Sequence, residues 1–247
     1  VSVVDETAST NADLLQAAKR GAPHGTVLVA DHQTAGRGRQ GRTWSAPPGS
    51  GLLCSVVLRP GPDAVLAGAT WSVGLAARAA CADVAGVTPD LKWPNDLLVG
   101  PRKLAGVLAE SVVEAGTAAV VVGIGLNLRW TAPPPADVAA RAITLSEAAG
   151  RTVSRDALLR AFLAALGPLV DEWQTAPDKL LARYRAALAT LGRRVRVETA
   201  GGALVGTARD VADDGALLVE AEDGAVHTLH AGDVVHLHDH GSAGSPR

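Results

Sequence analysis

The chain has 247 residues, enough for one large core with a smaller domain beside it. At 47% apolar it is globular, and 23 Lys plus Arg against 25 Asp plus Glu leave no global basic field for nucleic acid. One Tyr, one Phe and five Trp are too few for a base-stacking platform, and the two cysteines, Cys54 and Cys81, lie in apolar runs without metal spacing.

Two cysteines so placed suit a reduced protein, and a cytoplasmic one is expected. No signal peptide opens the sequence. The uncharged apolar run 64–77 contains Gly68, Thr70, Ser72 and Gly74 and is too short and mixed to span a bilayer. A soluble protein with no membrane partner is expected.

In chain order, Ser9-Thr10-Asn11 caps a short helix that turns Leu14, Leu15 and Ala18 inward. TVLVAD at 26–31 reads as a buried strand, LLCSVVLRP at 52–60 as another, and the Ala-rich stretch 64–83 as a buried helix. Lys92-Trp93-Pro94-Asn95-Asp96 is a tight turn, because Pro94 drives Trp93 to extended geometry and Asn-Asp favours turning. Segments 103–114 and 118–130 form an antiparallel hairpin, and Pro133-Pro134-Pro135 opens a loop. Two helices follow, one capped by Ser154 with Leu158, Leu159, Phe162 and Leu166 on its apolar face, one from Pro177 to about Leu191. From Gly192 five short alternating runs separated by Gly-Gly and Asp-Gly turns read as a small barrel. The expected division is 1–191, 192–240 and a disordered tail at 241–247.

Chemistry concentrates between the second strand and the third. Gly36-Arg37-Gly38-Arg39-Gln40-Gly41-Arg42-Thr43-Trp44 sets three guanidinium groups among three glycines. Each arginine is a fixed cation with a planar fork of donors matched to phosphate or carboxylate oxygens. Unpaired, they are too costly to bury, so the loop is built to hold an anion. The formula GxGxxG is met by Gly36, Gly38 and Gly41, but a dinucleotide fingerprint needs a helix to start there, and Arg42-Thr43-Trp44-Ser45-Ala46-Pro47-Pro48 cannot form one. An arginine–glycine RNA-binding segment is disfavoured by the even charge balance. Lys103 opens a strand of small residues, Gly106 follows it, and Gly123 and Gly125 interrupt another strand that ends at Asn127; strand glycines suit the close approach of a ligand. His236, His238 and His240 alternate near the C-terminus without partner carboxylates, and no metal site is expected.

Taken in order, STN at 9–11, HQTAGRGRQGRTW at 32–44, KWPNDLLV at 92–99, KLAGVLAE at 103–110 and GIGLNL at 123–128 resemble the biotin–protein ligases, also called biotin–[acetyl-CoA-carboxylase] ligases. The resemblance implies an α+β fold: a mixed, largely antiparallel sheet flanked by helices, related to class II tRNA synthetases, with a small C-terminal SH3-like β-barrel. Only eight residues precede Ser9, so the monofunctional type without a DNA-binding domain is expected, and no DNA partner. The implied activity is ATP-dependent: biotin's carboxylate attacks the α-phosphate of MgATP, and biotinyl-5′-AMP then acylates a lysine of a biotin carboxyl carrier domain. Biotin and ATP are the substrates and Mg²⁺ the metal.

Carried onto matching positions, Lys103 and Arg39 are the catalytic residues. Ser9, Thr10, Asn11 and Gln33 bind the biotin head; Arg37, Gly38, Arg39 and Lys103 line its carboxylate path; Gly106, Gly123 and Gly125 form the floor. The nucleotide falls to Arg37, Arg39, Arg42, Trp44, Lys92, Asn95 and Asn127, with Trp44 over the adenine. Gln40 stands where some members have a basic residue or histidine. A lipoate- or octanoyl-transferring enzyme of the same fold is the nearest rival, and a nucleic-acid-binding regulator the rival from another class.

Overall fold

The computed structural model describes residues 1–61, 64–114, 117–199 and 201–237; the tail from 238, with His238 and His240, lies outside them. The first half alternates strands with two helices: β1 (Ser2–Thr7), α1 (Thr10–Lys19), β2 (Val27–Gln33), β3 (Gly51–Leu58), α2 (Ala67–Ala85), β4 (Asp90–Lys92), β5 (Asp96–Val99), β6 (Arg102–Glu114) and β7 (Thr117–Asn127). The seven strands form one sheet in the order β1-β2-β3-β7-β6-β5-β4. The β1–β2 pair is parallel and every other pair antiparallel, which makes the sheet mixed and largely antiparallel. Helices α3 (Ala136–Arg141), α4 (Leu145–Ala149), α5 (Arg155–Thr175) and α6 (Pro177–Ala187) follow.

The two-residue period of a strand sorts the core. Val27 and Val29 of β2, Leu52, Cys54, Val56 and Leu58 of β3, and Val120, Val122, Ile124 and Leu126 of β7 face α2, α5 and α6. Their neighbours Leu28, Val57, Ala119 and Val121 face α1, through Leu14 and Ala18. Helix α1 has only ten residues, so it covers part of its face. The uncovered part carries Ser55, Gly123, Gly125 and Gly106, and there the cavity forms. Ser9 caps α1 by accepting a hydrogen bond from the Ala12 N–H, as expected from the sequence.

Under the other face Trp173 of α5 is 1% exposed, and its Nε1 donates to Val65 O at 2.9 Å. Its ring fills the space a Cβ on Gly68 would need, 2.2 Å away. Trp173→Ala is expected to cost about 3–5 kcal/mol, the usual loss for a large aromatic in a packed core, read as a lowered urea midpoint at unchanged slope.

The second sheet contains β8 (Arg194–Thr199), β9 (Gly202–Val211), β10 (Leu217–Ala221), β11 (Val226–Leu229) and β12 (Asp233–His236), in the order β11-β10-β9-β8-β12 and antiparallel throughout. Five strands are as expected, but no closed barrel is formed among the described residues: the order begins at β11 and ends at β12. Val195, Val197, Ala208, Val211, Leu217, Val219 and Val234 join the large core, and Trp93 Nε1 donates to Gly215 O at 3.0 Å, so the two sheets share packing.

Several elements depart from the sequence reading. Strand β1 was not expected; it is an edge strand with four of its six residues exposed, so it carries no buried run to reveal it. The short helices α3 and α4 lie where the run Pro133-Pro134-Pro135 predicts a loop. Helix α6 stops at Ala187 instead of Leu191, because Leu188 turns extended and bridges Leu91. No helix among the described residues is long and apolar enough to cross a membrane.

Candidate active site

The uncovered patch is floored by two rows of cross-strand neighbours. Ser55 pairs with Gly123 and Gly123 with Leu108; in the next row Leu53 pairs with Gly125, Gly125 with Gly106, and Gly106 with Asp96. Two of these positions have no room for a side chain. A Cβ on Gly123 would lie 2.2 Å from Asn11 Oδ1, and one on Gly125 2.4 Å from Trp44 Cε2. The glycines are thus needed for close approach, by the polar end of α1 in one case and by an indole in the other.

Lys103 reaches this floor through a register shift. Between β5 and β6 the pairing slips at Leu97/Leu98, so Leu104 is an extra residue in β6. Leu104 and Ala105 both enter the core, although consecutive strand residues normally face opposite ways. The bulge therefore gives Lys103 the parity of Gly106. Its Nζ lies 2.6 Å from Asp96 Oδ1 and 5.7 Å from the Trp44 ring centroid.

The roof is the Gly/Arg loop. It folds back on itself through an Arg37–Thr43 bridge, with Gly38 N–H donating to Arg42 O at 2.7 Å and Trp44 N–H to Gly36 O at 2.9 Å. Its arginines are each held by a different wall. Arg37 Nη2 pairs with Glu110 Oε2 at 3.0 Å, Arg42 pairs with Asp233, and Arg39 Nη1 donates to Asn95 Oδ1 at 3.3 Å and Gly232 O at 3.4 Å. Burial lowers the pKa of Arg39, while Asp233 and Asp96 pull it back up. A half-buried cation of this kind gains from an anion that enters beside it. Trp44 Nε1 is buried with no hydrogen-bond partner among the described residues, a polar group left open at the cavity wall.

Together these elements enclose about 150 Å³, lined by Ser9, Thr10, Asn11, Gln33, Arg37, Gly38, Arg39, Arg42, Trp44, Asn95, Lys103, Gly106, Gly123 and Gly125 of the expected set. Lys92 and Asn127 do not line it. Lys92 sits in a recess behind the KWPND turn with Tyr184, its pKa lowered by burial and pulled back by Asp96. Asn127 Nδ2 donates to Lys103 O at 3.4 Å and Ile143 O at 3.3 Å, bracing the start of β6. The lining also includes Ser55, Asp96 and Asp233, to which the sequence reading gave no role. Ser55 had a signal, a lone hydroxyl in the apolar run LLCSVVL. Asp233 had none, since it arrives from the second sheet.

Elsewhere, burial raises the thiols of Cys54 and Cys81 to about 12, so both are unreactive core residues. His236 Nε2 lies 3.2 Å from Thr190 Oγ1.

The family model of the biotin/lipoate A/B protein ligases matches residues 3–127, and that of the biotin protein ligase C-terminal domain matches 190–237. The biotin–[acetyl-CoA-carboxylase] ligase of Mycobacterium tuberculosis is 41% identical over 96% of this chain and 89% of its own length. The bifunctional ligase/repressor of Bacillus spizizenii is 32% identical over 93% of this chain and 72% of its own. The solved structure of the Aquifex aeolicus biotin protein ligase in complex with biotin and ATP superposes with a TM-score of 0.81 at 28% identity, covering 95% of this chain and 97% of that one. With the fold, the glycine floor and both family models in agreement, this chain belongs to the biotin protein ligases.

Proposed function

We propose that the chain is an ATP-dependent biotin–protein ligase that converts biotin to biotinyl-5′-AMP and then passes it to a lysine of a biotin carboxyl carrier domain. One observation carries this reading: Arg37, Arg39, Arg42 and Lys103 converge on a single cavity whose floor is bare glycine. In the first step a biotin carboxylate oxygen bonds to the α-phosphorus and the bond to pyrophosphate breaks. Both reactants are anions. At an effective dielectric near 20, one unit charge 4 Å from another is worth about 4 kcal/mol, so two or three aimed cations offset most of the repulsion. In the second step the neutral carrier amine bonds to the acyl carbon, the bond from that carbon to the phosphate oxygen breaks, AMP leaves and the amine's proton passes to solvent.

Lys103 is the group for the charge that builds on the α-phosphate and acyl oxygen, supplied from a strand and so held rigidly. Arg39, with Arg37, takes the carboxylate and α-phosphate, and Arg42 the outer phosphates once these displace Asp233. Ser9, Thr10, Asn11 and Gln33 receive the ureido ring. Trp44 covers the joint between biotin and adenine, and Asn95 takes the nucleotide. Lys92 and Asn127 act from behind the cavity, one adding positive charge beneath the turn and one fixing the Lys103 backbone.

Magnesium is expected with the ATP. The described residues contain no group of three metal-binding side chains, so the donors fit a cation carried in on the phosphates, with Asp96 and Asn95 as hard oxygens on the protein side. Bound there, it would neutralise phosphate charge. A catalytic domain at 1–191 followed by an SH3-like domain at 192–240 is proposed, the two packed on a shared core; the matched C-terminal family model and five antiparallel strands support this.

An acyl-adenylate must be kept from water, so the Gly/Arg loop is expected to open when empty and close when loaded. Arg39→Ala removes a charge-assisted contact, and biotin affinity by calorimetry is expected to fall about 10- to 100-fold, with free adenylate appearing in the medium. Unchanged affinity and no leakage would count against closure. Thermal stabilisation by biotin and not by lipoate separates this reading from its nearest rival.

A further inference from the structure

The polar groups at the inner end of the cavity can be assigned proton by proton. Asn11 Nδ2 donates to Leu108 O at 3.1 Å and to Glu110 Oε2 at 2.9 Å. A carbonyl and a carboxylate can only accept, so the amide cannot be reversed without setting its oxygen against two others. Asn11 Oδ1 therefore faces Ser55 and accepts from Ser55 Oγ at 2.6 Å. Gln33 is fixed in the same way: the Thr10 backbone N–H donates to Gln33 Oε1 at 2.8 Å, and a reversed amide would oppose N–H to N–H.

Between these two fixed acceptors stand two hydroxyls with one proton each. Thr10 Oγ1 lies 2.7 Å from Ser55 Oγ and 3.0 Å from Gln33 Oε1. The Ser55 proton is already on Asn11, so the single Thr10 proton has two oxygens to serve, Ser55 Oγ and Gln33 Oε1, and can reach only one of them at a time. The cluster is one proton short. Ser55 is 1% exposed and Thr10 and Asn11 4% each, so the missing donor must come from whatever fills the cavity. Beside it stand donors without acceptors among the described residues: the Ser9 hydroxyl, whose oxygen accepts from Ala12, and Gln33 Nε2.

We infer that Ser55, through the proton it places on Asn11, commits the Thr10 hydroxyl to accepting and so makes this end of the cavity specific for a ligand that carries an N–H beside a carbonyl. Ser55 acts through Thr10 and is a positioning residue. The inference rests on the biotin reading, because the ureido ring is the part of biotin with that pattern; the dithiolane of lipoate has neither group. Glu110 is the far anchor of the chain, and Arg37 pairs with the same carboxylate oxygen, so the roof and the head pocket share one support.

The test compares biotin with its two cyclic-carbamate analogues, in each of which one ureido N–H is replaced by a ring oxygen of nearly the same size. Adenylation is measured in the wild type and in Ser55→Ala and Ser55→Cys; the thiol keeps the volume but is a poor donor, so it covers the case in which the alanine variant does not fold. The wild type is expected to prefer biotin by about 100-fold over the analogue lacking the N–H that meets Thr10. Both substitutions are expected to cut that preference about tenfold, through a raised KM for biotin, with KM for ATP unchanged. If both substrates lose the same factor, or Ser55→Cys behaves as wild type, Ser55 only packs and the inference fails. A wild-type enzyme inert toward biotin would remove the reading beneath it, whereas an active one whose preference survives both substitutions would remove this inference alone.

Discussion

Lys103→Ala is expected to fold as the wild type does and to lose about 10²–10³-fold in the rate of adenylate formation, the usual loss when one preorganised charge-stabilising group is removed from a reaction centre. The fold is expected to survive because the side chain is 37% exposed and its backbone is held independently, by β5 on one side and by Asn127 on the other. The chemistry is expected to suffer twice. The cation over the Trp44 ring disappears, and Asp96, now without its partner at 2.6 Å, is left facing the incoming phosphates. Pyrophosphate release in a single turnover measures the step directly. A variant with a normal unfolding midpoint and near wild-type release would show that the ammonium is not the catalytic group.

Gly125→Ala carries the second large effect and comes from geometry instead of charge. An added Cβ would sit 2.4 Å from Trp44 Cε2, 2.7 Å from Nε1 and 2.8 Å from Cζ2, all closer than carbon atoms tolerate. The indole must lift off the strand. Trp44 ends the Gly/Arg loop, so the roof and its arginines move with it. A displacement on the order of 1 Å in a positioning group costs about 100-fold, and a loss of that size in kcat/KM for biotin is expected. Global stability is expected to change little, because alanine is no worse than glycine within a strand. Wild-type kinetics in this variant would mean that the indole has room to yield and does not fix the roof.

Much of this site was readable because its parts are local. The Ser9 cap, the arginines between glycines and the KWPND turn each announce their geometry within a few residues, and the paired strand glycines announce a close approach. What was hidden depends on register or on distant sequence. Lys103 stands at a position whose parity, counted from Gly106, points it into the core; only the extra residue at Leu104 turns it to the cavity, and a bulge has no fixed signature in KLAG. Asp233 meets Arg42 from the second sheet, a pairing that nothing in either segment specifies. Ser55 was visible as a polar residue in an apolar strand, yet its function lies in the order of protons, which needs three partners placed at once. In the fold, β1 was missed because an edge strand with an exposed Val3 shows no buried run, and the barrel expected from five alternating runs is an open strand order among the described residues. Alternation predicts strands but not closure, which depends on how the end strands meet.

Incubating the purified chain with biotin and MgATP, then weighing the small molecules it holds by mass spectrometry, tests the central claim most directly. Biotinyl-5′-AMP bound at one equivalent per chain is the expected result, with none formed from lipoate under the same conditions. No adenylate from biotin, or lipoyl-AMP in its place, would contradict the assignment of this cavity.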